Sequence, residues 1–378
     1  MRTHDVVVIG AGAMGSAASR SLAAAGREVV TLEKYGLGHD RGGSHGGTRL
    51  FRAAVDDEHY LLEVRRAGRM WAELEEESGE RLLELTGGLD HGVGERAVER
   101  FRSLFTRHGV AHEVLDPREA AERWPGMRFE TPVLYQPGSG RLLADRAVAV
   151  LQRLAGRRGA EFRPGCPATA LRVLTHGDGP DGGLVEVDTP DGALRARQVV
   201  VTAGAWAPRL LGGHLGLPAI VATQEQPRFF VPRGPAHGWP SFVHWREGDD
   251  RFTTAGAYGV FEQGSGVKVG LHGTGPVVDP DLRDFTPEAR ADRELLEYVS
   301  TWLPGLDPAG STPISCLYDN TPRDTFVIDR KGPISVATGF CGQGFKFVPL
   351  VGHYLTALVT GRGTAPAGYA LAAHAPRS

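Results

Sequence analysis

The first 33 residues alternate between apolar stretches and a stretch of small side chains. Residues 5–9, Asp-Val-Val-Val-Ile, have the β-branched composition of a strand that is buried on both faces. Small residues fill 13–25, which indicates a helix, and Gly26 is placed to end it. A second apolar stretch at 28–32 leads directly into Glu33. The order strand, helix, strand predicts a βαβ unit in a parallel sheet.

The rest of the pattern predicts further helices and strands with no visible break into two halves. Apolar spacing and capping residues predict helices at 58–77, between Asp116 and Pro125, and at 145–158, 287–302 and 349–360. Strands are predicted at 199–204 and 334–337, and residues 219–275 are strand-like and rich in Pro, Gly and aromatic side chains. Because no repeat and no linker is visible, we expect interleaved domains.

Glycines follow the first strand in the spacing of a dinucleotide-binding motif. Gly10 would make the tight turn, Gly12 would let the backbone approach a pyrophosphate, and Gly15 would allow close helix packing. Glu33 ends the second strand, where its carboxylate could accept hydrogen bonds from a ribose. The motif alone does not distinguish NAD from FAD. Residues 36–47 contain six glycines in twelve positions, which favours a loop that wraps an extended cofactor.

Composition narrows the class of protein. The 378 residues include 52 glycines, about 14%, against the ~7% typical of proteins, yet no Gly-x-y period is present. Lys plus Arg number 42 and Asp plus Glu 45, so there is no basic excess for nucleic acid. Three widely spaced cysteines, no apolar run of membrane-spanning length and no signal-peptide pattern lead us to expect a cytoplasmic protein that binds no membrane.

Seven motifs occur in order along the chain. They are V-I-G-A-G-x-M-G-S at 8–16, G-S-H-G-x-T-R-x-x-R at 43–52, R-W-P-G at 123–126, A-G-A-W at 203–206, K-V-G-x-H at 268–272, C-L-Y-x-x-T-P at 316–322 and G-F-C-G-Q-G-F-K-F at 339–347. Together they resemble the monomeric sarcosine oxidase and N-methyltryptophan oxidase family, which are FAD-dependent amine oxidases of the glycine/D-amino-acid oxidase superfamily. Any one motif could arise by chance, but all seven in register are specific.

The resemblance implies an α/β fold of two domains, in which a Rossmann-like FAD-binding domain is interleaved with a mixed β-sheet substrate domain. It assigns 1–85, 140–215 and 320–378 to the FAD-binding domain, and 86–139 and 216–319 to the substrate domain. The implied partners are a small amine or amino acid and O2, with no metal site. We expect a monomer or a small homo-oligomer.

The resemblance also implies which residues contact the FAD. Cys316 matches the cysteine that carries the flavin through a thioether to its ring methyl, although without the motif it would be interpreted as a buried structural cysteine. Cys341 is interpreted as a small loop residue near the flavin, and Cys166 as structural. The expected FAD contacts are Gly10, Gly12, Met14, Gly15, Glu33, Lys34, Gly43, Ser44, His45, Thr48, Arg49, Ala203, Gly204, Trp206, Cys316, Gly342, Gly344, Phe345 and Lys346.

Four residues are expected to carry the chemistry. Lys268 alternates with valines, so on a strand it points away from both, and it matches the family's lysine that activates dioxygen. A fixed ammonium stabilises the negative charge that forms on oxygen. His272 matches the active-site histidine. Arg52 and Lys346 match the partners of the substrate carboxylate, for which the arginine fork is suited. Without the motifs, each would be interpreted as a solvated or packed side chain.

The expected function is oxidation of a secondary amino acid, either N-alkyl or cyclic. A hydride would leave the carbon next to nitrogen for flavin N5, giving an imine, and O2 would then reoxidise the flavin and yield H2O2. Gly47 stands where sarcosine oxidase has Asp, and residues 53–58 and 246–265 also depart from that enzyme. These departures make a bulkier or cyclic amino acid at least as good a candidate as sarcosine.

Two other functions stay open at this point. One is an FAD-dependent amino-acid dehydrogenase or deaminase that passes electrons to an acceptor other than O2. The other is a flavin-binding protein without catalytic activity. Fast dye reduction with slow oxygen consumption would favour the first, and bound flavin that no amine can bleach would favour the second.

Overall fold

The fold is given by a computed structural model that describes residues 2–53, 57–175, 183–234, 238–245 and 256–375. Within these residues there are eight α-helices and 21 strands. The helices are α1 (Ala13–Ala24), α2 (Glu58–Ser78), α3 (Glu95–Arg107), α4 (Pro117–Arg123), α5 (Ala144–Arg157), α6 (Ala207–Leu211), α7 (Ala289–Trp302) and α8 (Val348–Thr360).

The strands span most of the chain. They are β1 (Thr3–Ile9), β2 (Val29–Leu32), β3 (Thr48–Phe51), β4 (Leu83–Glu84), β5 (Gly88–His91), β6 (Glu113–Leu115), β7 (Val133–Gln136), β8 (Gly140–Leu143), β9 (Glu161–Arg163), β10 (Ala170–Thr175), β11 (Leu184–Thr189), β12 (Gly192–Val201), β13 (Val221–Glu225), β14 (Arg228–Pro232), β15 (Ser241–His244), β16 (Ala257–Glu262), β17 (Gly266–Leu271), β18 (Leu306–Pro313), β19 (Cys316–Asn320), β20 (Val327–Lys331) and β21 (Ile334–Thr338). Single 3-10 turns lie at Gly204–Trp206, Gly344–Phe347, Ala367–Tyr369 and Leu371–His374.

The first large sheet is centred on β1, which pairs in parallel with β2 on one side and β12 on the other. Its strand order is β10-β11-β12-β1-β2-β9, with β21 beside the end of β12 and β20 beside β21. Val6 and Val8 pack into one buried cluster with α1, α5 and α8, whereas Val7 and Ile9 pack into a second cluster on the other face. Both faces are therefore covered, and the carboxyl ends of β1, β2 and β12 meet at one edge.

The second large sheet has the order β18-β14-β17-β16-β15-β5-β7-β6. Its core lies on the face covered by α7, where Val267 and Val269 of β17 are fully buried with Leu295 and Val299. Lys268 lies between these valines on β17 and is opposite Phe229 of β14 and Val260 of β16. The predicted alternation on this strand is confirmed, since period 2 directs Lys268 to the other face.

Two small sheets join the large ones. β3 continues the glycine-rich loop and pairs with β8, which also pairs with β4. β19 pairs with β13, with Cys316 opposite Glu225. Thr48 and Cys316 thus begin strands that lie between the two large sheets.

The predicted helices are confirmed with small shifts at their ends, whereas the strand predicted at 199–204 is β12, which begins seven residues earlier, at Gly192, and ends at Val201. The helix predicted between Asp116 and Pro125 is α4, and the Asp116 carboxylate accepts hydrogen bonds from the backbone N–H groups of Arg118 and Glu119, as a capping residue should. Strand β18 ends at Pro313, and Cys316 begins β19. Proline lacks the N–H that would continue the strand ladder.

The predicted fold class is confirmed: α1, α5 and α8 cover one face of a sheet whose central strands are parallel, the short helix α6 packs on the other face, and a second, mixed sheet accompanies it. The strands of the first sheet come from 3–32, 161–201 and 327–338, and those of the second from 88–136 and 228–313. The exact domain boundaries stay a prediction. None of the helices that the structure describes is long and apolar enough to cross a lipid bilayer.

Candidate active site

A cavity of about 1290 Å³ extends from the glycine turn after β1 to Lys268 on β17. It exceeds the roughly 300–1,000 Å³ of most small-ligand sites. Every predicted site residue lines it except Gly15. A Cβ at Gly15 would lie 1.8 Å from the carbonyl oxygen of Gly10, so this glycine lets α1 pack against the turn, as predicted. Six of the seven motifs are therefore brought to one space, whereas R-W-P-G at 123–126 contributes no residue to the cavity wall formed by the described residues.

The glycine turn is crowded by backbone. Gly10 has φ of +99°, and a Cβ there would lie 2.7 Å from the carbonyl oxygen of Thr202. The Ser44 hydroxyl accepts a hydrogen bond of 2.9 Å from the N–H of Ala13, the first residue of α1. At Gly12, a Cβ would lie 2.9 Å from the same hydroxyl oxygen. Backbone contact and positive φ thus require glycine at position 10, whereas a side chain at position 12 would displace the Ser44 hydroxyl that accepts from Ala13.

Glu33 lies at the carboxyl end of β2, beside this turn. Its carboxylate accepts hydrogen bonds from the backbone N–H groups of Ala11, at 2.8 Å, and Tyr35, at 2.9 Å. Burial acts to raise the pKa of Glu33, but hydrogen bonds from His39, Tyr35 and Ala11 outweigh it, and the net shift is downward. Glu33 is therefore an ionised, fixed acceptor at the place where the motif predicts a ribose.

The loop before β3 is fastened to the Cys316 segment. Arg49 donates to the carbonyl oxygens of Gly43 at 3.0 Å and His45 at 2.6 Å, and its guanidinium lies 5.7 Å from the Phe345 ring centroid. The His45 ring nitrogens lie 3.0 Å from the Gly42 carbonyl oxygen and 2.9 Å from that of Ser315. Burial, and then the charge of Arg49, lower the pKa of His45, against the contacts with the Gly42 and Ser315 carbonyl oxygens, which raise it.

Asp281 contacts several side chains on the Glu33 side of the cavity, including the two residues that follow Glu33. Its carboxylate accepts hydrogen bonds from Trp206 Nε1 at 2.8 Å and Tyr35 Oη at 3.3 Å, and it pairs with Lys34 and with Arg209. Burial acts to raise the pKa of Asp281, but the hydrogen bonds from Lys34 and Trp206 make the net shift downward. Lys34 and Trp206 were predicted, whereas Asp281 was missed, because a lone aspartate in a loop carries no sequence signal.

Lys268 is buried, with 5% of its surface exposed, and faces the cavity. Its Nζ donates a hydrogen bond of 2.6 Å to the carbonyl oxygen of Thr48 and lies 6.0 Å from the Phe229 ring centroid. Burial lowers the pKa of Lys268 to about 7, and the charge of Arg49 adds to the effect. The alternative of a solvated strand lysine is thus excluded.

Arg52 reaches the cavity from the end of β3, but it is already paired. Its Nη1 lies 3.1 Å from Asp90 Oδ1, and its guanidinium lies 5.1 Å from the Trp245 ring centroid. Trp245 lines the cavity, whereas Asp90 is buried and does not contribute to the cavity wall that the described residues form. Sequence reasoning found Arg52 but missed Asp90 and Trp245, which lie outside all seven motifs.

Lys346 lies on the 3-10 turn at 344–347 rather than on a strand. Its Nζ donates to the Tyr60 hydroxyl at 2.7 Å and to the Gln343 carbonyl oxygen at 3.2 Å. Burial, and then the charge of Arg52, hold the pKa of Lys346 well below its usual range. Arg52 and Lys346 thus both line the cavity, each with a partner that the prediction lacked.

A histidine and two tyrosines form the wall beside these cations. The Tyr318 hydroxyl lies 3.4 Å from His272 Nδ1, and a Cβ at Gly270 would lie 2.6 Å from the Tyr258 hydroxyl. Burial lowers the pKa of His272 to about 4, with Arg52 contributing, so this ring is uncharged. Tyr258 was missed because it lies within residues 246–265, which match no motif. Residues 246–255 of that stretch, and 54–56 of the other departure, lie outside the described residues.

The three cysteines differ in access. Cys316 is half-buried and lines the cavity. Cys166 and Cys341 are buried, and neither belongs to the cavity wall formed by the described residues. Burial raises the pKa of the Cys341 thiol to about 12. Cys316 is therefore the thiol that a molecule in the cavity can reach.

The lining of the cavity fits FAD. The N-terminus of α1 begins at the glycine turn and has no acidic residue in its first turn, which suits a pyrophosphate. Glu33 offers an acceptor next to it, and the cavity continues from there past Arg49 to Lys268, as an extended two-part cofactor requires. When bound there, FAD would be held by the glycine turn, the loop at 42–49 and the 3-10 turn at 344–347.

Comparison with known proteins agrees with this assignment. The family described as FAD dependent oxidoreductase, DAO, matches residues 5–358. Monomeric sarcosine oxidase of Streptomyces avermitilis is 33% identical, over 97% of this chain and 96% of its own length. N-methyl-L-tryptophan oxidase of Yersinia pestis is 28% identical, over 93% of each chain.

Solved structures agree on the fold. The open form of NikD, an unusual amino acid oxidase essential for nikkomycin biosynthesis, has a TM-score of 0.84 at 24% identity, with 98% of both chains covered. Glycine oxidase of Geobacillus kaustophilus has a TM-score of 0.79 at 21% identity, with 98% of this chain and 99% of that chain covered. The chain therefore belongs to the DAO family of FAD-dependent oxidoreductases, as a homologue of the sarcosine and N-methyltryptophan oxidases that act on CH–NH groups.

Proposed function

We propose that this enzyme is an oxidase of a secondary amino acid, N-alkyl or cyclic, with O2 as electron acceptor. The observation that carries the proposal is the buried Lys268, which faces the cavity that also holds the glycine turn, Arg52 and Lys346. When bound, FAD would supply the electron acceptor: its N5 would take a hydride from the carbon next to nitrogen, loss of the amine proton would leave an imine, and O2 would then take the two electrons and two protons to become H2O2.

Arg52 and Lys346 bind the substrate carboxylate in this proposal. Both side chains line the cavity, and a guanidinium can hold a carboxylate through two parallel hydrogen bonds, while Lys346 adds hydrogen-bond donors. His272 is uncharged because of burial, so it contributes a hydrogen-bonding group and not a third positive charge. Tyr258 and Tyr318 add apolar ring surface beside it, which excludes water and favours a substrate with its own apolar body.

Lys268 serves the reaction with O2. Electron transfer to O2 creates negative charge, and an ammonium that is fixed in a dry site stabilises such charge far better than one in water. The hydrogen bond from Nζ to Thr48 fixes the position of the ammonium before O2 arrives. A dehydrogenase that used another acceptor would not need this group, which is why we favour the oxidase over that alternative.

Cys316 is proposed to hold the FAD through a thioether. Acid precipitation of the purified yellow protein tests this, because covalently bound flavin stays with the polypeptide. Cys316→Ser should release all flavin into the supernatant, whereas Cys166→Ser, which changes a buried thiol outside the cavity wall of the described residues, should not. Complete release of flavin from the unmodified protein would overturn the thioether.

The reaction itself is tested in two stages. Secondary, cyclic and primary amino acids are first mixed with the protein without oxygen, and bleaching of the flavin absorbance identifies the substrate. Air is then admitted, and recovery of the absorbance with one H2O2 per substrate supports the oxidase. Bleaching followed by slow recovery in air and fast recovery with a dye would instead support the dehydrogenase, and no bleaching by any amine would oppose both.

Location and assembly complete the proposal. We propose a cytoplasmic enzyme that acts as a monomer or a small homo-oligomer. Cell fractionation and the mass of the holoenzyme by light scattering test these two points independently of activity.

A further inference from the structure

The Arg52 guanidinium is held on two sides before any substrate binds. Its Nη1 lies 3.1 Å from Asp90 Oδ1, and its plane lies over the Trp245 ring at 5.1 Å from the centroid. The Trp245 Nε1 donates a hydrogen bond of 3.1 Å to the same Asp90 oxygen. One carboxylate oxygen therefore fixes both the cation and the aromatic ring on which the cation lies.

Asp90 is itself fixed from behind. It is 1% exposed on β5, and its second oxygen accepts a hydrogen bond of 3.0 Å from Gln136 Nε2 on the neighbouring strand β7. Burial raises the pKa of Asp90, while Arg52, Trp245 and Gln136 act in the opposite direction. A carboxylate with three donors and no exposure is a rigid anchor, because each donor restricts a different direction of movement.

Asp90 also changes the charge that Arg52 can offer. A negative group in contact with the guanidinium competes electrostatically with any second carboxylate that approaches it. Rigid placement favours the reaction, since a displacement of about 1 Å can cost on the order of 100-fold in rate. Asp90 therefore improves the placement of Arg52 and at the same time weakens the binding of a substrate carboxylate to Arg52.

We infer that Asp90 is a positioning residue of the substrate site, which holds Arg52 and Trp245 in place. Its negative charge also lowers the affinity of Arg52 for the substrate carboxylate. The inference rests on the proposed function, because it assumes that Arg52 receives the substrate carboxylate. Asp90 acts through Arg52 and does not touch the substrate. Since its effects on affinity and on rate have opposite signs, they can be separated from a loss of structure.

The test uses the holoenzyme of Asp90→Asn, in which the side chain keeps its shape and loses its charge. The probe is cyclopentanecarboxylate, which has no amine to oxidise, and its neutral counterpart cyclopentanecarboxamide is the reference. Dissociation constants are read from the perturbation of flavin absorbance and of tryptophan fluorescence. We expect the acid to bind about three- to ten-fold more tightly than to the unmodified protein, with the amide unchanged.

The rate of flavin reduction by saturating substrate should change the other way, falling about ten-fold or more in Asp90→Asn. Trp245→Phe separates placement from charge: it removes the Nε1 hydrogen bond and keeps an aromatic ring and the Asp90 charge, so the reduction rate should fall about three-fold with the acid affinity unchanged. It also keeps the test decisive if Asp90→Asn folds poorly.

Asp5→Asn is the matched control, because Asp5 pairs with Arg27 at 2.6 Å far from the cavity and should alter neither quantity. The inference is overturned if Asp90→Asn leaves acid affinity and reduction rate unchanged, or lowers both in step with its melting temperature. If the unmodified protein does not prefer the acid to the amide, the role of Arg52 in the proposed function fails, and the inference fails with it.

Discussion

The two ends of the cavity are built by different means. At the cofactor end, backbone geometry sets the positions: Gly10 has φ of +99°, and Thr202 leaves no room for a Cβ there. At the substrate end, buried side chains set them, through pairs such as Arg52 with Asp90 and Lys346 with Tyr60. The first requirement admits essentially one residue type. The second is a hydrogen-bonded charge network, which many combinations of residues could provide.

The largest effect is expected at Gly10, where backbone geometry excludes a side chain, and it should appear as a loss of bound flavin. Gly10→Ala adds a Cβ at positive φ and 2.7 Å from the Thr202 carbonyl oxygen, so the turn must open and we expect bound flavin to fall below about a tenth of the normal content. Gly26→Ala is the control, because its φ of +80° carries the same backbone penalty, of order 1 kcal/mol, with no atom within 4 Å. Flavin absorbance per chain and thermal unfolding measure both. Equal flavin contents would contradict the comparison.

The second largest effect is expected at Lys268. Lys268→Met removes the buried ammonium, and the rate of reoxidation by O2 should fall about 100- to 1,000-fold, which is typical of losing one preorganised electrostatic group. The rate of flavin reduction by substrate should stay within a few fold. Lys331→Met, at an exposed lysine on β20, is the control and should change neither rate. Stopped-flow absorbance separates the two half-reactions, and equal losses in both would assign Lys268 a structural role.

The pH dependence of reoxidation follows from the same residue. Burial, and then Arg49, lower the pKa of Lys268 to about 7, and a lysine is charged below its pKa. The reoxidation rate should therefore be highest at low pH and fall about ten-fold between pH 6 and pH 8. Lys268→Met should show no such fall. A rate that rises over this range in the unmodified protein would mean that the uncharged amine is the active form.

The comparison also explains what the sequence could predict. The glycine turn and Glu33 could be predicted because a backbone requirement recurs at fixed spacing. Lys268 and Cys316 could be predicted because their motifs resemble those of a known family. The hydrogen-bonded pairs at the substrate end could not be predicted. Arg52 and Asp90 are 38 positions apart and Lys346 and Tyr60 are 286 apart, and no local pattern marks such partners. Only the folded chain brings them into contact.

The smallest effect is expected at Tyr60, the neutral hydrogen-bond partner of Lys346. Tyr60→Phe removes the hydroxyl that accepts a hydrogen bond of 2.7 Å from Lys346 Nζ and keeps the ring, so the lysine loses one of its two partners there. One such bond contributes about 0.5–1.5 kcal/mol, which corresponds to a rise in KM of about two- to ten-fold with kcat nearly unchanged.

Tyr354→Phe is the matched control for this change. The Tyr354 hydroxyl is also hydrogen-bonded, at 2.7 Å from Glu63, but it lies outside the cavity wall formed by the described residues, so its loss should lower the melting temperature and leave KM unchanged. Steady-state kinetics and thermal unfolding distinguish the two variants. If Tyr60→Phe behaved like Tyr354→Phe, the contact with Lys346 would serve stability alone, and the network that sets the substrate end would be limited to Arg52, Asp90 and Trp245.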